Sequence, residues 1–305
     1  MKPQIAALGA LSIVMIAIAG CSKPVASGIS LNEAFRPLIS ASTTVMAGVD
    51  LEALKASPIY AKYKNDLKFL DMGQLGQDFG VDPARDVRAL LYLSDGKKQS
   101  FIVRGSFRGP DIERKLESKG LKTTPYKGFH IWGDGQNSLV LLKGSVAVLG
   151  PADGVREAID ANVDGRGEVP EELAQMLRSM PKGDQVWLAS RGGLPFASAA
   201  TRTDIQSALS NIIDFVRTAT GSLRLDNGVR LQAALGCVSA DGATRVNDAL
   251  RGTVAIGRLS TRDNEASLLK MYDAVQIERK ENTVRVNAQL TGEQVEELVN
   301  RFVKR

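Results

Sequence analysis

GSLRLDNGVRLQAALGCVS, from Gly221 to Ser239, holds two apolar runs separated by Asn227 and Gly228. An Asn-Gly pair supplies the positive φ angles that a tight hairpin turn needs, and the run on each side is long enough for a strand. The reading is a β-hairpin. The same signature recurs at Asp95-Gly96, inside ALLYLSDGKKQSFIVRGSF (Ala89–Phe107), and again at Asp134-Gly135. Strands that follow one another through such short turns pair antiparallel. Cys237 falls in the second run of the first hairpin, and in so apolar a setting it reads as a buried, inert thiol.

Helices interleave with these hairpins. GPDIERKLESKG opens on Pro110 and closes on Gly120; ADGATRVNDALRG closes on Gly252. At the C-terminus, TGEQVEELVNRFVKR carries a capping box from Thr291 to Gln294 and sets Val295, Leu298, Val299, Phe302 and Val303 at helical spacing, a stripe for core packing. The order of elements then repeats. STTVMAGVDL (Ser42–Leu51), a helix, the Ala89–Phe107 hairpin and the helix after Gly109 are echoed by DQVWLASRGG (Asp184–Gly193), a helix, the Gly221–Ser239 hairpin and the helix after Asp241. The expected fold is α+β, two tandem domains of mostly antiparallel sheet packed with helices, in an order that fits an internal duplication. Residues 41–168 form the first domain and residues 169–305 the second, joined near the helix after Pro170.

Ahead of this body, Lys2 precedes an apolar run from Ile5 to Gly20 that ends on Cys21. Sixteen residues at about 1.5 Å each reach about 24 Å, short of the ~30 Å of hydrocarbon that a spanning helix crosses. A basic start, an apolar run and small residues at its end follow the order of a secretory leader. Ile18, Ala19, Gly20 and Cys21 resemble the lipobox of bacterial lipoproteins. That resemblance implies a signal peptide over 1–20, cleavage before Cys21, and diacylglyceryl and N-acyl (palmitate-type) groups on Cys21. Ser22 resembles the sorting position that permits transfer to the outer membrane in two-membrane bacteria. Residues 21–40, rich in Ser, Pro, Gly and Ala, read as a flexible tether. In its loose order of elements the body resembles uncharacterised two-domain lipoproteins of bacteria, which adds no functional residue.

Composition and motif content exclude most chemistries. The 305 residues carry a formal charge of +5 with basic residues dispersed, and the densest group, Lys62, Lys64 and Lys68 with Tyr60 and Tyr63 between them, reads as a solvated helix face rather than a nucleic-acid site. A weak attraction to anionic lipid or cell-wall polymer is compatible with that charge. With Cys21 lipidated, Cys237 has no disulfide partner. The single histidine, His130 in GFHIWG, and one free cysteine cannot supply a zinc site. No GxSxG turn, GxGxxG loop or phosphate loop occurs, and the Ser-x-x-Lys spacings at Ser94, Ser179 and Ser267 have no partner motif.

One stretch matches a metal template. DANVDGRGEVPE, Asp160 to Glu171, follows the calcium loop, with side-chain ligands Asp160, Asn162, Asp164 and Glu171, the carbonyl of Arg166, and Gly165 at the sharp turn. Gly167 and Pro170 depart from it, and Asp, Asn and Gly also serve any linker between helices. Calcium is therefore the one candidate ion. The functional expectation is an extracytoplasmic, membrane-anchored, non-catalytic binding or envelope-scaffold module with an envelope-protein or cell-wall partner and no nucleic acid. The alternatives are a carrier of an apolar ligand and a hydrolase of unfamiliar design. A ligand would sit in the crevice between the two halves.

Overall fold

The computed structural model describes residues 28–64, 83–106, 108–143, 145–194, 212–262 and 265–302. The leader expected over 1–20 and Cys21 lie outside them. Twelve strands, every pair antiparallel, form one open sheet: β1 (Val45–Asp50), β2 (Val87–Ser94), β3 (Gln99–Gly105), β4 (Thr123–Tyr126), β5 (Phe129–Gly133), β6 (Ser138–Leu142), β7 (Val146–Gly150), β8 (Val186–Ser190), β9 (Val216–Leu225), β10 (Gly228–Cys237), β11 (Val275–Lys280) and β12 (Thr283–Thr291). Across the sheet they run β11-β12-β10-β9-β8-β1-β2-β3-β7-β6-β5-β4. The expected α+β class is the one found.

Both halves take the same path. Each begins at the centre, adds a hairpin outward (β2-β3, β9-β10), then lays its last strand beside that hairpin (β7 on β3, β12 on β10). The first half inserts one extra hairpin at its margin. The halves meet where β1 pairs with β8, Gly48 opposite Trp187 and Val49 opposite Val186, so the sheet runs unbroken across the boundary expected at 168/169.

The helices are α1 (Leu51–Lys55), α2 (Pro58–Tyr63), α3 (Pro83–Asp86), α4 (Gly109–Ser118), α5 (Ala152–Val163), α6 (Glu171–Ser179), α7 (Ala240–Leu259), α8 (Ala266–Asp273) and α9 (Gly292–Phe302). Among the described residues no helix is long and apolar enough to cross a membrane. Strand residues of the first half alternate between two cores. Leu91, Ile102, Val140 and Val148 meet α5, α6 and the segment Leu31–Ile39 on one face; Val103, Leu139 and Ala147 meet α1, α2 and α4 on the other. In the second half Ala219, Leu235, Ile277 and Val284 pack under α7, and Leu225 joins Val295 and Val299 of α9, all on the α4 side of the sheet. The opposite face of β9, β10 and β12 carries Thr218, Thr220, Arg230, Gln232, Asn287 and Gln289, and no described helix packs on it.

Three expectations change. The tether stops short of residue 40: Leu31, Phe35, Leu38 and Ile39 are buried, and Ile29 donates its N–H to the Leu177 carbonyl. Their apolar side chains, spaced through a Ser- and Pro-rich stretch, had a core face to fill. The β9-β10 hairpin forms, but its turn is at Asp226-Asn227 and Gly228 is not left-handed. Glycine is required there because a Cβ would lie 2.2 Å from the Leu290 oxygen on β12. Finally, α7 continues through Gly252 to Leu259. The cost of an interior glycine, about 1 kcal/mol, is offset by packing of its last turns on α8. The capping box forms as expected: Thr291 N–H donates to Gln294 Oε1 at 2.8 Å and Gln294 N–H to Thr291 Oγ1 at 3.3 Å.

Candidate functional site

The calcium-template residues are not gathered around a common point. The template needs the chain to leave its helix at the first ligand, but α5 runs on to Val163, which carries Asp160 and Asn162 into helical geometry. Lys127, at the tight turn between β4 and β5, places its ammonium 2.8 Å from Asp160 and 3.0 Å from Asp164, and Tyr126 donates its hydroxyl to Asp160. A resident cation thus already answers those two carboxylates. The bonds to Asp160 first and then to Asp164 raise the Lys127 pKa, and the Arg166 guanidinium, followed by Lys127, lowers that of Asp164. Arg166 therefore acts through its side chain. Glu171 belongs to α6, where Gln175 and then Arg178 lower its pKa. Among the described residues no group of three or more His, Cys, Asp or Glu could hold a metal.

His130 is exposed on β5 near the sheet margin, opposite Pro125 of β4. Cys237 is buried and free, and burial pushes its thiol pKa up, the opposite of activation. A groove of about 460 Å³ beside α5 is lined by charged groups that bond to one another, as where Glu157 accepts from Ser42 and pairs with Lys98.

The crevice at the seam of the two halves is different. It encloses about 400 Å³ between the N-terminal segment, the ends of β1 to β3 and Trp187 of β8. Gly48 creates it. A Cβ at that position would sit 2.3 Å from the indole ring atoms, so only glycine lets Trp187 lie flat across β1. Leu31, Phe35 and Leu90 supply apolar wall, and Arg88 and Arg104 supply guanidinium groups. Arg88 is the extra residue of a bulge between Val87 and Ala89, which turns it outward; Arg104 is half-buried. Neither has a hydrogen-bond or ion-pair partner among the described residues. Asp50, whose carboxylate caps α1 at the Ala53 N–H, Glu52 and Glu33 stand on the rim. An indole floor with unpaired guanidinium groups and carboxylates on its rim suits a ligand that is apolar in its body and charged at both ends, such as a peptide segment.

Below the groove, Asp184 is fully buried and accepts from Ser222 Oγ at 2.7 Å and Arg230 Nη2 at 2.9 Å, while Gln185 bonds the Leu225 backbone through both ends of its amide. These contacts fix the start of β8, and with it Trp187. Sequence reading missed Trp187, Arg88 and Arg104; the available signal was the pairing of a glycine in STTVMAGVDL with a tryptophan in DQVWLASRGG, and register was needed to see it.

No family model matches the chain, and no curated protein matches it. Among solved structures, crystal form I of TP0453 is similar at 10% identity and a TM-score of 0.48, over 88% of this chain and 97% of that one; crystal form III is similar at 11% and 0.49, over 88% and 98%.

Proposed function

We propose that the chain is a lipid-anchored bacterial envelope protein that binds or scaffolds rather than catalyses, held through diacylglyceryl and N-acyl groups on Cys21 and presenting the seam groove to its partner. The observation that carries this reading is Ile18-Ala19-Gly20-Cys21 at the end of a run too short to span. Small side chains before Cys21 admit a peptidase to the backbone, and a thiol is the nucleophile that alkylation needs. Two or more acyl chains, each CH₂ worth about 0.8 kcal/mol, hold where one chain would release. With Ser22 next, the outer membrane is the destination in a two-membrane cell. The groove at Trp187 supports binding over the carrier alternative, because it is open and has a charged rim, whereas an apolar cargo calls for a deep apolar cavity.

Mass spectrometry of the chain extracted in detergent tests the anchor. The expected result is an N-terminal Cys21 carrying acyl mass, and Cys21→Ser should abolish both the lipid and the cut after Gly20. An unmodified mature N-terminus overturns the reading.

A further inference from the structure

The bulge in β2 sets two like charges side by side. Val87 pairs with Gly105 of β3 and Ala89 with Arg104, so Arg88 is the extra residue between them, and it stands beside Arg104 at one end of the seam groove. Like charges placed together across a strand pair repel each other. The acids nearest to them are spent elsewhere: Glu33 pairs with Arg36 at 3.3 Å, and Asp50 accepts the Ala53 N–H at 2.9 Å. Among the described residues no carboxylate lies within ion-pair distance of either guanidinium. A ligand carboxylate would offset the repulsion and accept from both planar N–H forks at once.

The surroundings of that charge define the body of the ligand. Trp187 belongs to β8 and lies across β1 over Gly48, so its ring stands one strand from β2 and two from β3, about 5 to 10 Å at ordinary strand spacing. Consecutive Cα atoms are about 3.8 Å apart, so a peptide whose terminal carboxylate sits at the arginines brings its last side chains to the indole. Leu31 and Phe35 add apolar wall, and Asn32 spends its side-chain oxygen on the Ala34 N–H at 3.0 Å, which leaves its amide N–H to donate to a ligand carbonyl. At about 400 Å³ the groove takes a short ligand or the end of a longer one, and the end of a peptide chain is where a main-chain carboxylate is found.

We propose that the seam groove binds the C-terminal end of a peptide chain, its carboxylate held by Arg88 and Arg104 and an apolar last side chain resting on Trp187. This deepens the reading of the groove as the binding site and rests on it. The partner is then a protein or peptide with a free, apolar C-terminus. Chain interiors and amidated ends lack the carboxylate, and small inorganic anions lack the apolar group.

The test is calorimetric titration of the full chain, purified in detergent, with N-acetyl-alanyl-alanyl-phenylalanine. The free acid should bind, and the same peptide amidated at its C-terminus should bind about tenfold more weakly or worse, because a hydrogen-bonded charge is removed. Glycine in place of the phenylalanine should weaken binding through the lost contact with the indole. Arg88→Gln and Arg104→Gln should each weaken binding of the free acid about tenfold, leave that of the amide unchanged, and leave the melting temperature unchanged. Gly48→Ala, which displaces the indole, separates the carboxylate site from the groove itself. Equal binding of acid and amide that Gly48→Ala abolishes overturns the arginine site and keeps the groove as the place of binding. Binding untouched by Gly48→Ala, or none at several millimolar, overturns both. 3-Phenylpropionate bound as tightly as the tripeptide overturns the peptide as the ligand class.

Discussion

β7 reads VAVLG and β12 reads TVRVNAQLT, yet each is the last strand of its half and each lies beside the same hairpin of that half. β7 has Val146 and Val148 buried on one side and Ala147 on the other, between two layers of helix. β12 buries Val284 on one side and shows Arg285, Asn287 and Gln289 on the other. The difference follows from the helix that comes next. α5 leaves β7 and folds back over the face that holds Ile102 and Val148, whereas α9 leaves β12 and folds over the opposite face, against Leu225 and Leu290. One topology thus gives a three-layer half and a two-layer half, and the strands show continuous apolar runs where both faces are covered and alternation where one is.

The sharpest break of this comparison is a pair of truncations. Ile102→Ala, in the doubly covered half, should cost about 3 kcal/mol in denaturant unfolding, since Ile102 is fully buried and the cavity would be lined on every side. Gln289→Ala, at an exposed position on an interior strand of the other half, should stay within about 0.5 kcal/mol. Similar values for the two would mean that the polar face is covered after all. A smaller effect, about 2 kcal/mol, is expected for Gly48→Ala at the seam, where the methyl would overlap the indole of Trp187. Trp187 emission should shift to longer wavelength as the ring is pushed outward; an unshifted spectrum would argue against the stacked arrangement.

The smallest effect is a pH dependence of the first-half turns. The backbone N–H of Asn137, then that of Gln136, lowers the pKa of Asp134. A carboxylate depressed in the folded state contributes stability that is present above the ordinary carboxylate range and lost as pH falls through the lowered value. Asp134→Asn should flatten that acid limb of the melting-temperature profile and leave neutral pH little changed. An identical limb in the variant would exclude the turn as its source.

The hairpins, the antiparallel pairing, the closing helix with its capping box and the parallel order of the two halves were legible because each rests on local chemistry: turn residues, caps and periodicity. What stayed hidden was long-range. Leu31, Phe35, Leu38 and Ile39 sit in a Ser- and Pro-containing stretch whose burial depends on a face contributed by residues more than a hundred positions away. The partner of Asp160 and Asp164 was hidden for the same reason, since Lys127 comes from a hairpin upstream. The groove at Gly48 and Trp187 is a matter of register between the two halves, which no local pattern encodes.

The open sheet ends in β4 at one margin and β11 at the other. β4 is four residues long and contains Pro125, which has no N–H to offer a further strand. β11 shows Gln276, Glu278, Arg279 and Lys280 to solvent, and Arg251 of α7 donates to the Ile277 carbonyl at 2.7 Å. Copies held in a bilayer by the proposed anchor would share a plane and meet far more often than in three dimensions, margin against margin. A sheet that could grow sideways would then polymerise along the bilayer. Proline at one margin and a charged, arginine-bonded strand at the other leave neither margin open to edge-to-edge pairing between copies.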